Sequence, residues 1–91
     1  MRRYVIERSI PGVGNFNQNQ LRDAAATSNK ALAKLAGKVQ WERSYVVEDK
    51  TFCVYLAENE NAVKEHAKLS GFPANKITEV QNIIDPLTAN S

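Results

Sequence analysis

Residues 39–57, VQWERSYVVEDKTFCVYLA, hold two β-prone runs broken only at Asp49-Lys50. So short a break joins antiparallel neighbours and leaves no room for a crossover helix. A helical stretch and a further strand flank this hairpin on each side. Upstream, residues 2–8 alternate and read as the first strand, and residues 9–15, with Pro11, Gly12 and Gly14, read as a loop. A helix follows, with Asn17 as N-cap and Gln20 at the third position of a capping box. Phe16 and Leu21 are placed to form a hydrophobic staple, and Gly37 is the expected stop. Downstream, a second helix starts near Asn59 and carries Ala62, Val63, His66, Ala67 and Leu69 on one side. It ends at Gly71-Phe72-Pro73, and residues 76–84 read as the last strand.

The order is βαββαβ, the split-βαβ or ferredoxin-like pattern of the α+β class. Its sheet is antiparallel, with spatial order 4-1-3-2 and both helices on one face. The chain of 91 residues reads as one domain over 1–91, with a tail from about residue 85. Twelve basic and ten acidic residues give a formal charge of +2, too balanced for a nucleic-acid surface. A single cysteine rules out an internal disulfide framework and fits a reducing cytoplasm. The Met1-Arg2-Arg3 start is followed by no apolar run, so neither a signal peptide nor a membrane span is expected.

Strand side chains two apart share a face. Tyr4, Ile6, Val46, Phe52, Val54, Leu56 and Val80 form the more apolar set, and are assigned to the helix-covered core. The opposite parity collects Val5, Glu7, Trp41, Arg43, Tyr45, Val47, Cys53, Tyr55, Ile77, Glu79 and Ile83. Such a face is too apolar to stand in water, and a second copy packed on it would make a dimeric α/β barrel with a shared cavity. Trp41, Tyr45 and Tyr55 would form the cavity wall. Glu7, on a central strand, would lie between Glu79 and Cys53 or Tyr55.

Two carboxylates converging in an apolar enclosure bind a cation or act in proton transfer. The plainer outcome is an ion pair of Glu7 with Arg43 or Arg8. Cys53 is read as a small buried hydrophobe or a ligand. His66, the only histidine, is a packed structural residue or a metal ligand. The Pro11-Gly12-Val13-Gly14 run lacks the spacing and lysine of a phosphate loop and reads as a turn. Lys50 to Tyr55 echoes an RNA-recognition motif only in part, without its glycines.

Several short motifs fall in a specific order: Tyr4-Val5-Ile6-Glu7-Arg8, Trp41 with Ser44-Tyr45-Val46, Phe52-Cys53-Val54-Tyr55, Glu65-His66-Ala67, Gly71-Phe72-Pro73, Ile77-Thr78-Glu79-Val80 and Asp85-Pro86. Over about residues 3–86 this resembles a family of small bacterial proteins of unknown function, some called nickel-binding or nickel-responsive. The resemblance implies a dimeric ferredoxin-like α/β barrel and a divalent-metal site, with nickel or another transition metal as the ion. It assigns no ligands. Glu7, Glu79 and His66 are the metal candidates, with Cys53 as a further donor, and a carboxylate/imidazole set of this kind suits Ni²⁺, Zn²⁺ or Cu²⁺.

The leading expectation is a cytoplasmic homodimer holding a divalent metal or small ligand in its barrel cavity, bound by Glu7, Trp41, Tyr45, Cys53, Tyr55 and Glu79. One alternative, by fold analogy alone, is a cofactor-free isomerase or monooxygenase-like enzyme with Glu7 as general base and Tyr55 as proton donor. Another is an interaction module without a ligand.

Overall fold

The first helix begins where its cap dictates. Asn17 Oδ1 accepts from the Gln20 N–H at 2.9 Å, and Gln20 Oε1 accepts from the Asn17 N–H at 2.9 Å. This reciprocal pair is the capping box, and it starts α1 at Gln18–Ala33. The helix stops earlier than Gly37. A turn follows in which Ala36 (φ 50°) and Gly37 (φ 80°) both adopt left-handed backbone. In α2, Glu60–Ser70, the Asn59 side chain caps the start, and Gly71 at φ 78° ends it with its N–H on Ala67 O.

The computed structural model describes residues 1–90. Its strands are β1 (Arg2–Ser9), β2 (Val39–Val46), β3 (Lys50–Ala57) and β4 (Lys76–Glu79), and they form one antiparallel sheet of order β2-β3-β1-β4. This is the ferredoxin-like arrangement, with both helices contributing to the core on one face. The last strand is shorter than 76–84. One more bond, Val80 N–H to Arg3 O at 2.8 Å, continues its pairing, and Pro86–Asn90 then form a short 3-10 turn.

Register, not overall apolarity, decides which residues face the helices. Residues opposite each other across a ladder share a face. Tyr4 pairs with Tyr55 and Ile6 with Cys53, so Cys53 and Tyr55 enter the core beside Tyr4 and Ile6. Phe52, Val54 and Leu56, expected inside, instead pair with Glu7, Val5 and Arg3 on the open face. In β2 a bulge at Glu42 breaks the alternation. Trp41 opposes Tyr55 on the covered face, whereas Arg43 opposes Val54 and Tyr45 opposes Phe52 on the open one. Ile77 pairs with Ile6 and packs on the core, which corrects its expected place. Leu69, expected on the buried side of α2, is exposed.

The loop before α1 is clamped to the hairpin turn. The Ile10 N–H donates to Asp49 O, the Gly12 N–H to Asp49 Oδ1 and the Gly14 N–H to Glu48 O, each at 2.9 Å. A Cβ on Gly14 would stand 2.7 Å from Val47 O and 2.9 Å from Glu48 Cα. Only glycine permits this approach, because both obstacles are backbone.

Candidate functional site

The inward face of α1 changes character along its length. Its last turn presents Ala31 and Leu32, and Leu32, with Leu35 from the turn that follows, fills the space over the sheet. Its middle presents Ala24, Ala25 and Ser28, and these small side chains leave a cavity of about 230 Å³. The staple residues Phe16 and Leu21 line it at one end, together with Val13 from the clamped loop. Across from α1 the sheet supplies Trp41, Thr51, Cys53 and Tyr55. For scale, an apolar cavity of about 150 Å³ admits benzene.

One charged side chain lines this cavity. Arg8 extends the Tyr4, Ile6 alternation of β1 to the covered face, and it is 2% exposed. Its Nη1 donates to Pro73 O at 2.8 Å and to Phe72 O at 3.4 Å. Its guanidinium carbon lies 5.9 Å from the ring centres of Tyr55 and Phe72, a cation–π distance. Nη2 is buried and has no hydrogen-bond partner. No Asp or Glu lines the cavity, and Arg8 belongs to none of the ion pairs among the described residues.

Behind the cavity runs a short polar chain. His66 on α2 is fully buried, with Nε2 3.2 Å from Ser28 Oγ. Ser28 Oγ in turn lies 3.5 Å from the Tyr55 hydroxyl. The His66 ring sits 4.9 Å from the Tyr55 ring, and its Nδ1 is buried without a partner. Burial drives the His66 pKa below its ordinary value, and the Arg8 charge pushes the same way against the Ser28 hydrogen bond. The imidazole is therefore a neutral group at neutral pH. Burial raises the Tyr55 phenol, opposed by its hydrogen bond to Ser28, by the Arg8 charge and by the approach of the Arg8 guanidinium to the hydroxyl.

The expected site residues separate into three places. Trp41, Cys53 and Tyr55 do stand together on one wall, on the helix-covered face rather than the open one. Tyr45 is parted from them by the Glu42 bulge and is 54% exposed. Glu7 is on the open face, with Lys50 Nζ at 3.8 Å, and makes no pair with Arg43 or Arg8. Glu79 pairs with Tyr4 at the edge of the other face, its carboxylate 3.3 Å from Arg2. Glu7 and Glu79 therefore do not converge. Nor can Glu7 and Tyr55 serve as base and acid on one substrate, since the sheet lies between them. Cys53 Sγ is 3.3 Å from Thr51 Oγ1 and buried. The residue missed was Arg8. Its signal was its own parity, two residues on from Ile6.

The centre of the open face is Val5, Phe52, Val54 and Leu56. Charged pairs border it: Arg3 Nε donates to Glu42 Oε1 at 2.7 Å, and Lys50 reaches Glu7. An apolar centre within a polar rim is the composition of a protein interface.

Fold and cavity together define a small ferredoxin-like α+β protein with a recess between its sheet and first helix. A family model described as "Nickel responsive protein SCO4226-like" matches residues 4–80, and the chain belongs to this SCO4226-like family. The crystal structure of SCO4226 from Streptomyces coelicolor A3(2) superposes with a TM-score of 0.75 at 17% sequence identity, covering 90% of this chain and 99% of that one. Likeness at this identity establishes the shared fold. No curated protein matches the chain. None of the described helices is long and apolar enough to cross a membrane.

Proposed function

We propose that this protein is a small-ligand-binding protein whose ligand enters the cavity between α1 and the sheet. One observation carries the reading: a benzene-scale, largely apolar recess with a buried, incompletely paired arginine among its walls. Ordinary cores close such space, since a void forfeits packing contacts. Trp41, the only tryptophan, lines the recess with its Nε1–H fixed on Ser44 Oγ at 3.0 Å. Its fluorescence is thus a direct probe. Titration with 2-phenylethanol should change Trp41 emission saturably, and Ala25→Leu, which fills the recess, should abolish the change. An emission unchanged up to the solubility limit by this alcohol and by its carboxylate and amide analogues would defeat the reading.

The protein acts as a homodimer in this proposal, with a second copy covering Val5, Phe52, Val54 and Leu56. Gel filtration at micromolar concentration should give twice the chain mass.

The family's description favours a second reading, in which a divalent ion such as Ni²⁺ is bound. Among the described residues of one chain, no three His, Cys, Asp or Glu side chains come together. Glu7 and Glu79 are engaged by cations, and the free Nδ1 of His66 is sealed in the core. One chain therefore does not fit a resident nickel ion, and this reading requires donors from two copies, with Glu7 of the interface face as the first candidate. Calorimetric titration of tag-free protein with NiCl₂ should then give one ion per two chains. Binding weaker than about 100 μM, only about 5.5 kcal/mol, would exclude it.

A further inference from the structure

We propose that the ligand of the cavity is a small organic monoanion: a ring-sized apolar body bearing one carboxylate, which pairs with the Arg8 guanidinium. The inference deepens the small-ligand reading and rests on it.

A guanidinium 2% exposed has lost its water, and an isolated buried charge is costly unless it is neutralised and hydrogen-bonded. Here the compensation is partial. Two backbone carbonyls take Nη1, and two aromatic rings lie at cation–π distance. The described residues supply no counter-ion and no acceptor for Nη2. The other titratable neighbours cannot substitute: His66 is held neutral by burial, and burial keeps the Tyr55 phenol protonated. Both the missing charge and the missing acceptor are what a carboxylate brings.

The donor arrangement also selects among anions. With Nη1 already committed to Pro73 and Phe72, one edge of the guanidinium is left, the width of a single two-oxygen group. A phosphate would enter a recess whose remaining walls are mostly aliphatic and aromatic, and it would leave most of its oxygens unpaired. A carboxylate on a six-membered ring or a short branched chain would place its head at Arg8 and its body among Val13, Leu21, Ala25 and Trp41. The hydroxyls of Ser28 on α1 and Tyr55 on the sheet, 3.5 Å apart, meet at the cavity lining as second-rank polar partners.

The test compares isosteric probes by Trp41 fluorescence: phenylacetate, phenylacetamide and 2-phenylethanol. Phenylacetate is expected to bind at least roughly tenfold more tightly than either neutral probe, the scale of a hydrogen bond to a charged group. Arg8→Gln should erase that preference, phenylacetate falling to the level of the neutral probes measured on the same variant, with folding checked by circular dichroism. If Arg8→Gln fails to fold, Arg8→Lys provides the comparison, because a point charge without the fork should shrink the preference rather than preserve it. Equal binding of the three probes to the unaltered protein would overturn the monoanion inference and leave the cavity reading standing. So would a preference for phenylacetate that is undiminished in the Arg8 variant. Absence of binding by all three, with Ala25→Leu indistinguishable from the parent, would overturn the cavity reading itself.

Discussion

The two faces of this sheet are both rich in apolar side chains, yet they leave different things unfinished. The covered face buries Tyr4, Ile6, Cys53 and Tyr55 under two helices, and within that core it leaves one arginine donor and one imidazole nitrogen without partners. The open face has two ion pairs, Arg3–Glu42 and Lys50–Glu7, at its rim and leaves Val5, Phe52, Val54 and Leu56 half-covered in its centre. Polar atoms lacking partners inside a recess call for a small molecule of matching chemistry. An apolar patch with a polar rim calls for a flat, extensive partner. Hydrophobicity alone therefore says little about a surface, and the identity of the unmet groups says more.

The largest effect expected from this contrast is on stability. Ile6→Ala, at a fully buried position, should cost about 2–5 kcal/mol in urea unfolding. Val54→Ala, directly across the same sheet, should cost less than half as much in dilute protein. If a second copy covers the open face, the Val54→Ala cost should grow with protein concentration, because association stabilises the folded state. A Val54 cost independent of concentration would break the assignment of that face to an interface.

Gly14→Ala comes next, at about 1–3 kcal/mol, the usual cost of forcing atoms into a closed contact. Since Val13 and Phe16 line the cavity from the same loop, this variant should also weaken probe binding by Trp41 fluorescence. A fully stable variant would show that the loop and hairpin turn separate without cost.

A smaller effect is expected with pH. His66 has a folded-state pKa lowered by burial, so below the unfolded value of about 6.5 the unfolded chain binds more protons than the folded one. Its contribution is fully present above pH ~6.5 and is lost as pH falls below that value, at up to about 1.4 kcal/mol per pH unit. Comparison with His66→Gln between pH 7.5 and 5 isolates this slope from that of the carboxylates, and identical slopes would refute it. The smallest effect belongs to the open-face rim. Lys50→Ala removes a half-exposed partner of Glu7 and should change stability by less than about 1 kcal/mol.

Much of the fold is legible in local chemistry. The Asn17–Gln20 box and the Asn59 cap mark both helix starts, Gly71 ends α2, and the short break near Asp49 makes the hairpin. These signals act over four or five residues and are written in the residues themselves. The faces of β3 are another matter. Thr51, Cys53, Tyr55 and Ala57 form one alternation and Phe52, Val54 and Leu56 the other, and ranking them by hydrophobicity picks the wrong one. In β2 the bulge at Glu42 shifts the phase midway, which no alternation rule anticipates. Of the expected group of Trp41, Tyr45, Cys53 and Tyr55, three stand together, on the opposite side of the sheet from the one expected, and Tyr45 is parted from them by the bulge.

The sequence by itself determined the element order, the strand order that follows from it, and the grouping of Trp41, Cys53 and Tyr55. Tertiary structure alone decided which face was covered, because a ladder shift of one residue exchanges every inside and outside position. It also turned Arg8 from an ordinary strand-end charge into the cation of a buried recess. That outcome depends on Ile6 pairing with Cys53, on small residues along the middle of α1, and on Pro73 returning a carbonyl to the guanidinium. These are contacts between distant segments, up to 65 residues apart, and no local pattern encodes them.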